Sequence, residues 1–280
     1  MTQRHVGVVG EAGSADLVTA LTRVGYRASR VGDGLEDQGF DLFFVAGPLD
    51  DARLLHTLEA AGVPHTCSSA TAVAHALDRG AAKALFRKHN LATATGYVVK
   101  ADELAGLEAR HQDLGFPSVV KPSKGRGAPG LVVQSLEALR EAVAQVCQGG
   151  AEALVERYVK GRAVTVCLLG EHVLGSAEVS GARVSAPRLS ATRVANLEAL
   201  ARLAAAALGC RGAARVDFLC PDIGNEVVLE LNPVPELSHG SIFAKVAGRH
   251  GLSFDALCER VVQLAQVGTA VEVPETRHVG

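Results

Sequence analysis

Residues 215–233 read RVDFLCPDIGNEVVLELNP, two strand-like runs around a turn. Side chains alternate between faces along a strand, so Arg215 and Asp217 share one face, and Glu230 and Asn232 share one face of the second run. Val216, Phe218, Leu229 and Leu231 point the other way, into a core. The intervening CPDIGN is a turn, which pairs the runs antiparallel and makes their polar faces meet. Two carboxylates and an amide oxygen on one hairpin repel or idle unless a cation lies between them. Hard oxygen donors of this kind suit Mg2+, which keeps its remaining positions for water and phosphate oxygens. The alternative is a solvated polar face. Pro233 and Pro235 end the second strand by removing backbone donors.

Upstream, KPSKGRGAPGLVV (residues 121–133) places Gly125, Gly127 and Gly130 in a Gly-x-Gly-x-x-Gly spacing. Such glycines let backbone N–H groups approach a phosphate, but with 30 glycines in the chain the spacing alone is weak. A P-loop ends in Gly-Lys-Ser/Thr and runs into a helix, and a dinucleotide turn also needs the helix. Here Gly130 is followed by Leu131, Val132 and Val133, which read as a strand. What remains is a glycine-rich hairpin lying over phosphates as a flap. Protein kinases use one, but place their lysine after it and carry His-Arg-Asp and Asp-Phe-Gly, both missing here; Lys121 precedes the glycines. The N-terminal GVVGEAG is Gly-x-x-Gly-x-x-Gly, which is not the dinucleotide fingerprint.

Outward from these stretches, the 280 residues are 48% hydrophobic and 21% charged, enough for a sizeable core and about two domains on length. A net charge of −2 without basic blocks argues against nucleic acid or membrane surfaces as partners. No apolar run reaches the ~18 residues of a membrane span, and the N-terminus has no signal-peptide anatomy. The six cysteines form no Cys-x-x-Cys pair and the ten histidines no His-x-x-x-His pair. A reduced, soluble, cytoplasmic protein is expected. Strands at 5–9, 41–46 and 63–65 alternate with helices, one capped by Ser14 and one opened by Asp50 or Asp51, implying a doubly wound parallel sheet. A helical stretch at 69–90 follows. Strands at 95–99, 117–121, 131–134 and 151–157 surround helices near 101–112 and 136–147. Paired strands turn at Gly170-Glu171, residues 191–208 form a long Ala/Leu helix, and helices at about 241–250 and 253–267 close the chain before a tail.

The strand, Lys121, the glycine-rich flap, VERYVKG at 155–161, and Arg-x-Asp followed by Glu-x-Asn together resemble the ATP-grasp superfamily. The resemblance is nearest to D-alanine–D-alanine ligases and runs from GVPHTCSSATAVAHALDRGAAK to GLSFDAL. It implies an α/β ATP-grasp fold: an N-terminal domain (1–76), a central subdomain with the flap (77–160), a C-terminal subdomain with the metal site (161–268) and a tail (269–280). By the same resemblance, Lys121 contacts the ATP phosphates and adenine side, Lys83 matches a lysine of an Asp-Lys-x-x-x-Lys segment, and Glu156 reads the adenine amino group. The backbones of Arg157 and Val159 meet the ring edge. Asp217, Glu230 and Asn232 hold two Mg2+, or Mn2+ in their place. Arg215 stabilises the transferring phosphoryl group and the later tetrahedral intermediate, and Ser241 binds the second substrate's carboxylate. A homodimer is implied as well.

The sequence departs from that pattern at several positions. Arg79 follows Asp78 where the ligases have Lys, Gly127 and Ala128 replace paired serines, and Ala163 stands where an acidic residue binds ribose. The lid-like loop shrinks to SGARVSAPRLSATR. VPEL replaces SPGM, so Glu236 takes a glycine's place, either as a solvated carboxylate or as a recognition group for an amino substrate. Glu11 and Asp16 have the wrong spacing for the family's N-terminal glutamate. The phosphate-and-metal half is intact and the amino-acid half altered. The expectation is an ADP-forming carboxylate–amine ligase of amino-acid-like substrates that is not a strict D-alanine–D-alanine ligase. The alternatives are a genuine one and a domain that binds nucleotide without ligating.

Overall fold

The computed structural model describes residues 3–10, 13–31, 39–125, 130–181 and 183–268. Glu11, Gly127, Ala128 and the tail at 269–280 lie outside them. Strand β1 (His5–Val9) buries Val6 and Val8 and pairs in parallel with β2 (Arg27–Arg30) and β3 (Leu42–Val45), in the order β2-β1-β3. Helix α1 (Ser14–Arg23) joins β1 to β2 and packs Leu17 and Leu21 inward. Its cap is Gly13, with φ 70°, and the expected cap Ser14 is the first helical residue. A side chain at Gly13 would collide with Ser238, so close approach selects glycine there. Strand β2 reads RASR and escapes a hydrophobic pattern because it is a half-exposed edge. Helix α2 (Arg53–Ala60) starts after Asp51, whose Oδ1 accepts from the Arg53 N–H at 2.9 Å. Residues 63–65 make only isolated bridges, His65 pairing with Phe43 and Gln266, rather than the expected strand.

The helical stretch expected at 69–90 is two helices, α3 (Ala70–Leu77) and α4 (Arg79–Lys88). They part at Asp78, whose carboxylate caps α4 through the Ala81 N–H at 2.9 Å. The sequence shows no glycine or proline at the break; a half-buried capping aspartate made it. Strand β4 (Gly96–Val99) leads through a 3₁₀ turn at 101–106 into α5 (Leu107–His111), then β5 (Ser118–Pro122), β6 (Leu131–Val133), α6 (Leu136–Val146) and β7 (Ala153–Arg157). The strands form an antiparallel sheet in the order β4-β7-β5-β6. One face, with Val99, Val120, Val133 and Val155, packs on Leu107, Leu139 and Val143. The opposite face carries Val119, Lys121, Leu154 and Glu156, with Val119 registered against Glu156 and Lys121 against Leu154.

The last sheet is built from β8 (Arg162–Leu169), β9 (His172–Ser180), β10 (Arg183–Ser185), β11 (Ala213–Cys220) and β12 (Val227–Asn232), in the order β10-β9-β8-β11-β12. Helix α7 (Ala191–Ala207) covers one face, where Leu197, Ala201 and Ala204 meet Val164, Val166, Val216 and Phe218, joined by Phe86 of α4. On the other face Cys167 and Ala177 share a core with Val6, Leu17 and Phe44 of the N-terminal sheet and with Phe243, Val246 and Val261 of α8 (Ile242–Arg249) and α9 (Phe254–Gln263). The cysteines are all free thiols, and burial lifts Cys67 and Cys258 to about 12. Among the described residues no helix is long and apolar enough to cross a membrane.

The short connection after β9 is clipped rather than extended. Arg188 donates from Nε (3.2 Å), Nη2 (2.6 Å) and its backbone N–H (3.2 Å) to the Glu178 carboxylate, and Arg162 lies 3.7 Å away. The Arg188 hydrogen bonds hold Glu178 down at about 2, against an ordinary 4.5. A carboxyl depressed on folding stabilises the fold above its ordinary value and loses that contribution as pH falls through the folded one. Glu178→Gln is therefore expected to lower the urea midpoint at neutral pH. The gap from the parent closes as pH falls from 4.5 through about 2, read by urea melts across that range.

Candidate active site

The ladder between β11 and β12 sets Arg215 against Asn232 and Asp217 against Glu230. Directly opposed residues share a face, so all four side chains look into the same space, as the hairpin reading requires. Val216 and Phe218 are fully buried on the other side. One expected position is corrected. The register shifts after Asp217, pairing Phe218 with Val228, so Val228 takes the core place expected of Leu229. The bulge frees the Leu229 carbonyl, which accepts from Lys83 Nζ at 3.3 Å.

Arg215 grips Asp217 with Nε (3.1 and 3.2 Å) and Nη2 (2.9 Å), and Thr165 of β8, registered against Asp217, donates to its Oδ1 at 2.6 Å. Burial opposes the Arg215 charge, yet the Asp217 carboxylate outweighs it and holds the guanidinium above its ordinary value. Glu230 lies 3.4 Å from Arg79 Nε, and Asn232 Oδ1 accepts from the Val234 N–H at 3.1 Å. Among the described residues no group of three or more His, Cys, Asp or Glu side chains forms a metal cluster. The hairpin set has two carboxylates, and its third donor is an amide. Hard oxygens on adjacent strands, one carboxylate partly open, have the chemistry that Mg2+ takes.

Beside this hairpin, the central sheet and α4 together form a buried triad. Glu156 Oε1 lies 2.6 Å from Lys83 Nζ, and Oε2 lies 2.6 Å from Lys121 Nζ. All three residues are below a tenth exposed. Each Glu156 oxygen has an ammonium group beside it. Lys83 also donates to Thr93 Oγ1 at 2.8 Å, and Thr93 donates to the Val228 carbonyl at 3.0 Å. Burial presses the Lys83 ammonium below its ordinary value against the pull of Glu156, and the neighbouring Lys121 presses the same way. Half-buried Val119 and exposed Val132 are paired across β5 and β6 on this face and give it an apolar rim.

The remaining expected residues are placed as follows. Gly125, with φ 83°, donates its N–H to the Leu77 carbonyl at 3.2 Å, and Gly130 is packed so closely on Val119 that a side chain would clash. The Arg157 N–H is donated to the Thr95 carbonyl at 2.9 Å, and Val159 is half-buried beyond the strand. Ser241 is buried and caps α8 by accepting from the Ala244 N–H at 3.1 Å. Glu236 is exposed and accepts from the Ser238 hydroxyl. One cleft is lined by Arg79, Gly125, Arg215, Glu230 and Asn232, joining the glycine-rich segment to the hairpin. Sequence reasoning passed over Thr165 and Thr93, which carry no motif, and gave Arg79 no role beyond a departure. The signal available for Thr165 was its place on the strand beside Arg-x-Asp.

A sequence profile described as the D-ala D-ala ligase C-terminus matches residues 92–185 and 178–263. The D-alanine–D-alanine ligase of Anaeromyxobacter sp. (strain Fw109-5) is 30% identical over 230 residues, 76% of this chain and 75% of its own. That of Desulforudis audaxviator is 32% identical over 257 residues, 83% of each. Among solved structures, the D-alanine–D-alanine ligase of Bacillus anthracis complexed with ATP superposes with a TM-score of 0.80 at 20% identity, covering 94% of this chain and 97% of its own. The VanG D-Ala:D-Ser ligase of Enterococcus faecalis gives 0.84 at 18% identity, covering 94% and 99%. The shared architecture is the ATP-grasp fold. The chain belongs to the D-alanine–D-alanine ligase family and is an ATP-dependent, ADP-forming carboxylate–amine ligase.

Proposed function

We propose that this enzyme joins D-alanine to D-alanine. The relatives at 30% and 32% identity carry that activity in their names, which favours the genuine ligase over the altered specificity expected from the sequence. The observation that carries the reading is the single cleft in which the Arg215–Asn232 hairpin faces the glycine-rich segment, with the Lys83–Glu156–Lys121 triad beside it. The first D-alanine carboxylate attacks the γ-phosphorus of ATP, the bond to ADP breaks, and an acyl phosphate forms. The second D-alanine's amine attacks the acyl carbon, phosphate leaves, and the amine nitrogen gives up a proton. Such phosphoryl transfer depends on alignment and charge neutralisation more than on covalent help.

Lys83, Lys121 and Glu156 sum to one positive charge in a buried setting, suited to a polyphosphate. The Glu156 carboxylate, an acceptor with several lone pairs, suits an incoming N–H such as the adenine amino group. Arg215, oriented by Asp217, offers a guanidinium to charge developing on the transferred phosphoryl group and then on the tetrahedral carbon. Asp217, Glu230 and Asn232 would hold Mg2+, two ions, with Mn2+ as a substitute. When bound, these neutralise phosphate charge. Ser241 accepts from its helix with its oxygen and retains an O–H, which with the α8 N-terminus suits the second D-alanine's carboxylate. A cytoplasmic homodimer completes the reading.

A second reading, a ligase with a different amine acceptor, is favoured by one observation: the exposed Glu236 carboxylate in the loop leading to Ser241. Incubation with Mg·ATP and D-alanine is expected to release ADP and phosphate in equal amounts with a dipeptide of D-Ala-D-Ala mass. Product only from other amines would select the second reading, and ATP binding without turnover on any amino acid would end both. Arg215→Met is expected to lower kcat by about 10²–10³-fold while ADP still binds. Glu156→Gln leaves two buried ammonium groups without a counter-charge, and is expected to cost about 3–5 kcal/mol of stability. Denaturant melts check this, and an unchanged midpoint would mean the lysines are not balanced by Glu156.

A further inference from the structure

The two lysines of the buried triad are not equally free to meet a ligand. An ammonium group has three N–H bonds to place. Around Lys83 Nζ stand three acceptors: Glu156 Oε1 at 2.6 Å, Thr93 Oγ1 at 2.8 Å and the Leu229 carbonyl at 3.3 Å. Thr93 gives its own proton to the Val228 carbonyl at 3.0 Å, so its oxygen turns lone pairs toward Lys83. The Ala92 carbonyl accepts from the Val228 N–H at 2.8 Å, which pins the segment carrying Thr93 to β12. Lys121 Nζ differs. Among the described residues its one partner is Glu156 Oε2 at 2.6 Å, which leaves two N–H bonds uncommitted.

We propose that Lys83 is a positioning residue: it commits its donors to Glu156, Thr93 and Leu229, and acts on the nucleotide by orienting the Glu156 carboxylate, while Lys121 makes the direct contact. The terminal torsion of a glutamate is broad, so a carboxylate held by one partner swings about it. Here each oxygen has its own ammonium group, Lys121 from the neighbouring strand β5 and Lys83 from α4. That fixes the plane of the carboxylate, and with it the direction of the lone pairs left for an incoming N–H. Thr93 and the Leu229 carbonyl in turn hold Lys83, so the bulge in β12 sets the orientation of a group in another sheet. The charge of Lys83 still favours a polyphosphate at a distance, but its N–H bonds are occupied. The inference rests on the assignment of Glu156 to the adenine amino group made above, and not on the identity of the amino-acid substrates.

The test is titration calorimetry of Mg·ADP and Mg·IDP into the whole enzyme, on the parent, K83M, T93V and T93S, each checked by a thermal melt. Hypoxanthine carries a carbonyl where adenine carries its amino group, so in IDP the Glu156 carboxylate faces an acceptor. The parent is expected to prefer ADP by about tenfold or more. K83M removes a charge and weakens both nucleotides, so the ratio of their affinities is the readout. That ratio is expected to fall by about tenfold in K83M and about threefold in T93V, and to stay near the parent value in T93S, which restores the hydroxyl. If the parent binds both nucleotides equally, Glu156 does not read the amino group, and the inference falls with that assignment. If the parent discriminates while K83M and T93V keep the full ratio, Lys83 acts on the phosphates or on the fold alone, and the proposal is overturned with the Glu156 assignment intact. Should K83M not fold, T93V against T93S decides by the same ratio.

Discussion

Two carboxylates serve one cation only if they are held against the same space, and the ladder between β11 and β12 imposes that condition. Asp217 opposes Glu230, and Arg215 opposes Asn232, through backbone hydrogen bonds that do not depend on what the side chains prefer. The arrangement is electrostatically costly by itself, since like charges opposed on one face repel. The structure offsets this with guanidinium groups. Arg215 takes Asp217 and Arg79 takes Glu230, one from the same strand and one from α4. The apolar reverse of the hairpin, with Val216 and Phe218 packed with α7, fixes which face the four polar side chains project from.

The second charged group follows a different rule. Lys83, Glu156 and Lys121 are nearly inaccessible, and removing such charges from water costs several kcal/mol per ion on the order of what a small domain can spare. One carboxylate between two ammonium groups recovers much of that by attraction but leaves one positive charge in a poorly hydrated setting. Burial already presses the Lys83 ammonium below its ordinary value. A polyphosphate is the kind of ligand that relieves such a group, because its negative charge arrives where the excess positive charge is held. On the proposed function, stability and affinity are linked: a residual cost in the free protein favours binding of the nucleotide.

Much of this was legible in the sequence, and the exceptions have identifiable causes. Period-two alternation revealed the hairpin because both of its faces are strongly differentiated, and helices α6 and α9 carry a clear apolar stripe and open at serine caps. Strand β2 was missed because an edge strand of arginines has no buried stripe to announce it. The break at Asp78 was missed because a capping aspartate looks like any polar residue until the N–H it accepts is known. The shift at Leu229 could not be read, since a bulge is decided by which of two similar apolar residues, Val228 or Leu229, fits the core. Thr93, Thr165 and Arg79 escaped for a related reason. Each acts through a contact more than 40 residues away in the chain, or through ten residues that fold back only when two sheets meet.

Helix α4 is where those long-range contacts converge, and its faces divide the labour. Phe86 and Ala82 enter the core beneath the C-terminal sheet. Lys83 reaches the central sheet through Glu156 and the bulged strand through the Leu229 carbonyl. Arg79, at the first turn, reaches Pro122 and Glu230. The central sheet has a hydrophobic core of its own, whereas the N-terminal and C-terminal sheets share one. Apolar packing therefore joins the outer two sheets, while polar contacts from one short helix carry much of the link to the third. Polar contacts are directional and apolar packing is not. On the proposed function, a cleft that registers a phosphate-binding strand against a metal-binding hairpin gains from having directional bonds at that boundary. The helix that supplies them is anchored by Phe86 beneath the C-terminal sheet, which carries the proposed metal ligands.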